Sequence, residues 1–427
     1  MNRSKSIKYK KISSASFGES AFMVFVGDVP EMSYNSRKQG LLSFPKFMMT
    51  MVGFWPKELI ENEMLRKFYH FYSIFIKSLY ALVLTSMAIK NFILLTNSES
   101  MRDISSKVLM NLACLVTWII IQLRVIFYST TKMRKIISYI LEAEQHLLQL
   151  DDANYLSCYW QESRYCSKAN VTLCACATTL YLASFYDNTV QSILIEQYNR
   201  KNNATLQKPF IYDLYYWKMN VDKYQLFALI VNDFSAIVAV IMGLSAEALI
   251  LGCISFVIIM IKILQVKIKN FVYPSNDTKW TIKKIVEEHY NCIRLVKNLN
   301  DVLKIPLLVE YILLSFNMAI ILMLYIRAER FAERGTTAGY CVGLTIYVFF
   351  LGWSASGIKM ESLALSDAIY ESPWFEKNSE IAKIMTIMIM RTQKPLILTI
   401  GSFGEMTLNS FLTIMKATYS YATLMMQ

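Results

Sequence analysis

Glycine and proline are scarce in this sequence, 13 and 8 residues among 427. Transporters built on broken membrane helices need such residues at paired interruptions, so intact helices are expected to dominate. Charge is scarce as well: acidic and basic residues make up 18% of the chain, against roughly 25% in soluble domains. Only three histidines occur, His70, His146 and His289, and none has a second ligand at metal spacing. G-x-S-x-G, H-E-x-x-H, Walker and dinucleotide glycine motifs are missing, and Gly401-Ser402-Phe403-Gly404 is too short a run to cradle phosphate. These gaps exclude the common enzyme classes, and no catalytic residue, cofactor or metal is expected.

What is abundant is apolar and aromatic. Hydrophobic residues reach 55%, with 24 Phe, 26 Tyr and 7 Trp, and the mean hydropathy is +0.34. The formal charge of +12 comes from 44 Lys and Arg against 32 Asp and Glu. On so apolar a chain that excess belongs at a lipid surface rather than on a nucleic-acid-binding face. The first 40 residues are basic and polar without a sustained apolar core, so a cleavable signal peptide is not expected. Apolar blocks near bilayer length predict seven membrane spans at about 72–96, 107–130, 169–193, 224–261, 306–326, 338–358 and 405–427. Leu41 to Trp55, closed by Pro56 and carrying Lys46, is too short to cross and reads as an interfacial helix. An eighth block, Ile381 to Ile400, is interrupted by Lys383, Arg391, Lys394 and Pro395 and reads as a cytoplasmic or half-buried helix.

Most of the Lys and Arg residues fall in loops on the N-terminal side of these spans, which predicts a cytoplasmic N-terminus. Asn203-Ala204-Thr205 then lies outside as a glycosylation acceptor at Asn203, whereas Asn276-Asp277-Thr278 lies inside and stays bare. None of the eight cysteines falls in an outer loop, so no disulfide framework is implied. Cys174-Ala175-Cys176 is not a metal spacing and reads as small buried side chains. Between the fourth and fifth spans, Ile282, Ile285, Val286, His289, Ile293, Val296, Leu299 and Leu303 recur at threes and fours, which predicts an amphipathic helix. Residues 131 to 148 show a related pattern and read as a continuation of the second span. These helices form either a cytoplasmic domain or a layer on the headgroups.

Eight charges fall within spans: Lys77, Lys90, Arg124, Asp187, Asp233, Glu247, Glu310 and Lys416. Lys90, Asp187 and Arg124 lie near span ends, where they can snorkel, and Glu310 is placed at the start of its helix, where the positive dipole end suits a carboxylate. Asp233, Glu247 and Lys416 invite either a polar cavity or pairing between helices. The last span is rich in hydroxyls, and Thr413, Ala417, Ser420, Leu424 and Gln427 stand on one helical face at spacings of 4, 3, 4 and 3. Such a mixed stripe suits a helix lining a water-filled path, and equally a helix interface joined by hydroxyls. Outer span halves hold Tyr181, Ser184 and Phe185, then Tyr224 and Phe227, then Tyr340 and Tyr347. They suit an apolar ligand pocket or act as interfacial anchors.

The stretch AIYESPWFEKNSEIAKIMTIMIMRTQKPLILTIGSFGEMTLNSFLTIMKATYSYATL resembles the C-terminal signature of insect odorant receptors. Tyr370, Trp374, Arg391, Gln393, Pro395, Gly401, Phe403, Leu408, Phe411, Ile414, Tyr419, Ser420 and Tyr421 carry the resemblance. GLLSFPKFMMTMVGFWP and KPFIYDLYYWKMNVDKYQLF agree more loosely with the family's N-terminal helix and with its loop into span four. Thr418 replaces the usual serine before Tyr419, and Ala422 stands where an aromatic is common.

The resemblance implies an all-α membrane subunit with seven transmembrane helices, a cytoplasmic N-terminus and a helical cytoplasmic anchor region. It divides the chain into a cytoplasmic N-terminal region (1–71, with the interfacial helix near 41–55), helices one to four (72–261) and a cytoplasmic loop helix (262–305). Helices five and six (306–358), an anchor helix (359–404) and a pore-lining helix seven (405–427) complete it. It further implies a non-selective cation channel opened by a small volatile odorant, located in the plasma membrane of olfactory sensory neurons. Four subunits would surround the pore. The long insertion of the shared co-receptor Orco is absent before span five, so the resemblance is to an odour-tuned subunit that pairs with Orco in a heterotetramer. Ligand contacts are then expected from Leu112, Tyr181, Ser184, Phe185, Tyr224, Phe227, Tyr340, Leu344 and Tyr347. Pore contacts are expected from Thr413, Ala417, Ser420, Leu424 and Gln427. A gustatory-type channel, a G-protein-coupled receptor and a transporter are the alternatives. The inverted orientation, the missing outer cysteine pair and the missing internal repeat disfavour the last two.

Overall fold

A computed structural model of the chain describes residues 40–60, 62–96, 106–150, 152–202, 214–216, 225–270, 278–372, 374 and 379–426. The glycosylation acceptor Asn203, the bare sequon at Asn276, the candidate ligand residue Tyr224 and the candidate pore residue Gln427 lie outside them. The described residues form an all-helical structure of ten α-helices with one short 3-10 turn at Lys57–Leu59.

The helices in chain order are α1 (Ser43–Met51), α2 (Glu63–Thr96), α3 (Ser106–Tyr128), α4 (Thr131–Gln149) and α5 (Ala153–Asn202). There follow α6 (Gln225–Lys269), α7 (Thr278–Arg327), α8 (Phe331–Glu371), α9 (Ser379–Thr392) and α10 (Leu408–Met426). Six of them, α2, α3, α5, α6, α7 and α8, contain stretches long and apolar enough to cross a membrane. The chain is a multi-pass membrane protein. α10 is 19 residues long but falls short of those six because Asn409, Ser410, Thr413, Lys416, Thr418, Ser420 and Thr423 dilute its apolar content.

Local chemistry sets several helix starts. Asn62 Oδ1 accepts from Met64 N at 3.0 Å and Leu65 N at 3.3 Å, and Asp152 Oδ1 accepts from Asn154 N at 2.9 Å. Both use the side-chain oxygen to satisfy amides that a first turn leaves free. Thr130, extended at φ −65° and ψ 150°, caps α4 by accepting from Met133 N at 3.4 Å. The second apolar block therefore ends at Tyr128 and a new helix begins, correcting the expectation that it continues as one element. The opposite holds further on, where the amphipathic stretch from Ile282 and the apolar stretch beyond Pro306 form a single 50-residue helix, α7. At 1.5 Å per residue it spans roughly 75 Å, far beyond a hydrocarbon core of roughly 30 Å.

α6 is the hub. It packs on α1, α3, α5, α7 and α8, and Leu249, Ile250, Cys253, Ile254, Phe256 and Ile259 are buried on all of its sides. A helix apolar all round faces either lipid or other helices, and here protein surrounds it. α9 ends at Thr392, so the Ile381–Ile400 block is helical only in its first part. Gly401 adopts φ +53° in the turn beyond and sends its N–H to Lys304 O at 2.9 Å on α7. A Cβ there would sit 2.6 Å from Leu308 Cδ2, so both the backbone angle and the close approach require glycine. Thr399 N donates to Asn300 Oδ1 at 2.7 Å, and this second anchor fixes where α10 leaves α7.

Candidate ligand cavity and its buried ion network

α3, α5, α6, α7 and α8 line a cavity of about 280 Å³, close to the lower end of the usual size for small-molecule sites. Helical periodicity supplies its walls. On α3, Met110, Cys114, Thr117, Ile121 and Arg124 recur at spacings of four and three, and on α6 Ala236, Ala239, Gly243 and Glu247 do the same. Small residues open the space, with Ala177, Ala236, Ala239, Gly243 and Gly343 standing where larger side chains would meet. Leu180 from α5 fills the groove over α8, because Cβ atoms added at Gly339 and Gly343 would lie 2.5 and 3.1 Å from its methyl groups.

Two polar layers cross this apolar chamber. In the first, Thr117 Oγ1 donates to Ala113 O at 2.9 Å and accepts from Asn317 Nδ2 at 2.9 Å. Tyr340 Oη lies 2.5 Å from the same Thr117 oxygen. With the Thr117 proton already placed on Ala113, the tyrosine O–H is the donor. The second layer lies two helical turns along α3. Arg124 donates from Nη1 to Glu247 Oε1 at 3.1 Å and from Nη2 to Glu310 Oε1 at 2.5 Å. Tyr347 Oη donates to the same Glu310 oxygen at 2.5 Å, and its ring centroid lies 4.7 Å from the guanidinium carbon. One guanidinium thus serves two carboxylates and an aromatic face, linking α3, α6, α7 and α8. In surroundings of low dielectric such attraction is strong, but it must offset the cost of removing three charges from water.

This network overturns two sequence expectations. Arg124 does not snorkel: its side chain is 5% exposed, because α6, α7 and α8 cover it. Glu310 does not start a helix, since α7 begins 32 residues earlier, and it is held by pairing rather than by a helix dipole. Glu247 pairs across helices, one of the two readings left open. Asp187 is met by Gln191 Nε2 at 2.6 Å and by Arg330 Nη1 at 3.4 Å. The cue that was available is the sign pattern, one basic and two acidic residues in three different spans beside tyrosines.

Of the nine ligand-contact candidates, Tyr181, Ser184, Tyr340, Leu344 and Tyr347 line the cavity. Leu112 is not in the cavity lining and packs against the apolar cluster that joins Val108, Leu109 and Ala113 of α3 to Ile320, Ile321, Met323 and Leu324 of α7. Phe185 is 42% exposed beside the cavity and stacks on Tyr181 with ring centroids 6.3 Å apart. Phe227 is exposed near the start of α6, about two turns before the first cavity residue of that helix. Thr117, Arg124, Glu247, Asn317, Thr336 and Thr337 add polar lining without having been candidates. On α10, Thr413, Ser420 and Leu424 are exposed and Ala417 partly so, while Ile414 and Thr418 face the protein. The hydroxyls of Thr413 and Ser420 donate to Asn409 O and Lys416 O, each at 3.0 Å.

The family model described as 7tm Odorant receptor matches residues 105–419. The chain belongs to this insect odorant receptor family. The matched region contains all five helices that line the cavity. Among odorant receptors, Odorant receptor 10 of Aedes albopictus is 28% identical over 175 residues, 40% of this chain and 47% of that one. Odorant receptor 67c of Drosophila melanogaster is 24% identical over 196 residues, 44% and 48% of the two chains. The chain thus spans about half the length of these relatives. The olfactory receptor OR5 from Machilis hrabei, solved in complex with eugenol, superposes with a TM-score of 0.67 over 90% of this chain and 97% of that one, at 15% identity. That likeness shows a shared fold.

Proposed function

We propose that this odorant receptor is the odour-tuned subunit of a ligand-gated, non-selective cation channel. A small volatile ligand occupies the cavity, and Orco completes a heterotetrameric pore in the plasma membrane of olfactory sensory neurons. The cavity carries this reading: it lies between five helices, is mostly apolar, of volatile-ligand size and built from helices inside the family match. The fold relative from Machilis hrabei holds eugenol, which is itself a small ligand.

The topology belongs to the same reading. α10 is the seventh membrane helix, the N-terminus is cytoplasmic, and the parts of α4 to α9 that overshoot the bilayer form the anchor region among subunits. The stripe Thr413, Ala417, Ser420, Leu424 and Gln427 lines the pore, supported by the exposure of Thr413, Ser420 and Leu424 on α10. Opening requires a ligand that binds the open state better than the closed one, and a coupling of ~1–3 kcal/mol is the usual scale.

The test is whole-cell current from cells expressing this chain with and without Orco, challenged with volatile alcohols, esters, aldehydes and terpenoids. Odour-evoked cation current only in the presence of Orco is expected. Current from this chain alone would refute the need for Orco. Surface-expressed protein whose responses ignore bulky substitutions at Tyr347 and Ala239 would refute the cavity as the site.

A further inference from the structure

Resting on the cavity being the ligand site, we infer that it selects ligands carrying a hydrogen-bond donor, an alcohol or an amine, and that Glu247 accepts that bond. Glu247 Oε1 is taken by Arg124 at 3.1 Å. Its other oxygen has no hydrogen-bond partner among the described residues and is not sealed off, since the side chain keeps 15% of its surface on the cavity wall. Charge points the same way. Two carboxylates share one guanidinium, so the cluster holds one acidic group more than it has cations, a surplus of acceptor facing an apolar space. An ammonium or hydroxyl headgroup answers that surplus, whereas a carbonyl or ether oxygen adds acceptor to acceptor.

The donors of the two polar layers already point at acceptors of the protein, while the hydroxyls of Tyr181 and Ser184 also line the chamber. Both terminal nitrogens of Arg124 are bonded to carboxylates, and Tyr347 gives its proton to Glu310. In the other polar layer, the Thr117 proton goes to Ala113 and the Tyr340 proton to Thr117. There Asn317 is fully buried, and its Oδ1 has no partner among the described residues but also no surface open to a ligand. The unpartnered Arg124 Nε lies beside the Tyr347 ring, and Glu310 Oε2 is buried outside the cavity lining. At Glu247 the chamber thus offers an acceptor, and selection rests on that oxygen.

The experiment uses hexyl and benzyl skeletons, each as the alcohol, amine, methyl ether and aldehyde. Two readouts are taken: thermal stabilisation of the purified full-length chain, and currents from cells that also express Orco. Alcohol and amine are expected to act at concentrations about tenfold or more below the matched ether and aldehyde, as loss of a bond to a charged acceptor implies. Glu247→Gln should largely erase that gap, and Glu247→Asp should retain it. Equal action of all four headgroups in the unaltered protein overturns the inference while leaving the cavity as the ligand site, and needs no variant. Stabilisation by no member overturns both. A gap that survives Glu247→Gln in folded protein removes Glu247 from the role.

Discussion

Replacing Arg124 with methionine keeps much of the side-chain bulk and deletes the only positive charge of the cavity network. Glu247 and Glu310 are then left facing each other without the 3.1 and 2.5 Å contacts that hold them. Removing one partner of a buried ion pair costs about 3–5 kcal/mol. Protonation of a stranded carboxylate limits the loss rather than cancels it. Against a total stability of ~5–15 kcal/mol, this is a severe defect. The instructive comparison is the triple variant Arg124→Met, Glu247→Gln, Glu310→Gln. It removes the attraction together with the burial of all three charges and should return to within about 2 kcal/mol of the parent, since neutral replacements for buried ion clusters are often harmless. Each form would be heated in detergent and assayed by size-exclusion fluorescence. At roughly 2–4 °C per kcal/mol the single variant should melt about 6–20 °C lower. A single variant that melts with the parent, or a triple that falls as far as the single, would refute the reasoning.

Three further outcomes are expected. Gly339→Ala places a methyl 2.5 Å from Leu180 Cδ2, driving Leu180 into the cavity, so sensitivity to the largest active ligands should fall about tenfold while the smallest are spared; Leu180→Ala in the same chain should restore it, as dose–response curves would show. Tyr159→Phe removes the 2.5 Å donor to buried Glu144, which also accepts from Leu41 N at 2.5 Å, and should cost about 1.5–3 kcal/mol, read as a lower melting temperature with ligand selectivity unchanged. Lys416 is exposed beside the Thr413–Leu424 stripe, and Lys416→Gln should change single-channel conductance or rectification without moving odour preference. An unchanged single-channel current would place that ammonium away from the permeation path.

The membrane character and most of the helices were legible in the sequence because apolar length is a one-dimensional signal. α8 could be read from the uncharged run Ala338 to Ile358, and α1 from Leu41 to Trp55. The lengths of α5 and α7 were not legible, because their outer portions carry charge and hydropathy registers only the part that lipid would accept. The break at Ser129 and Thr130 was hidden for the reverse reason: a single capping hydroxyl ends one helix and begins the next inside an unbroken apolar pattern. In the cavity, Tyr181, Tyr340 and Tyr347 announced themselves as aromatics in apolar helices. Arg124 and Glu310 did not, since their meaning lies in partners 186 residues apart in the chain. Pairing of that kind is a property of packing, and periodicity within one helix carries no trace of it.

The cavity and α10 have two helices in common, α7 and α8. α7 carries Asn317 and Glu310 and also packs on α10, while α8 carries Tyr340 and Tyr347 and then, two residues on, Phe349. Phe349 meets Phe411 of α10 edge to face, with ring centroids 6.1 Å apart. One turn further, Gly352 brings α8 so close to the start of α10 that an added Cβ would stand 3.1 Å from Thr407 O. A helix is stiff along its axis, and close-packed contacts such as these answer a displacement by repacking rather than by yielding gradually. On the proposed reading, a ligand that presses on Tyr347 therefore acts on the element that positions Phe411, and no separate relay is needed. The Arg124 network sharpens this, because Tyr347 is tied through Glu310 to α7 as well. A shift of α8 at the cavity must either carry α7 with it or break a buried hydrogen bond at 2.5 Å. The cost of the second choice favours the first, and the two helices that grip α10 move as a pair.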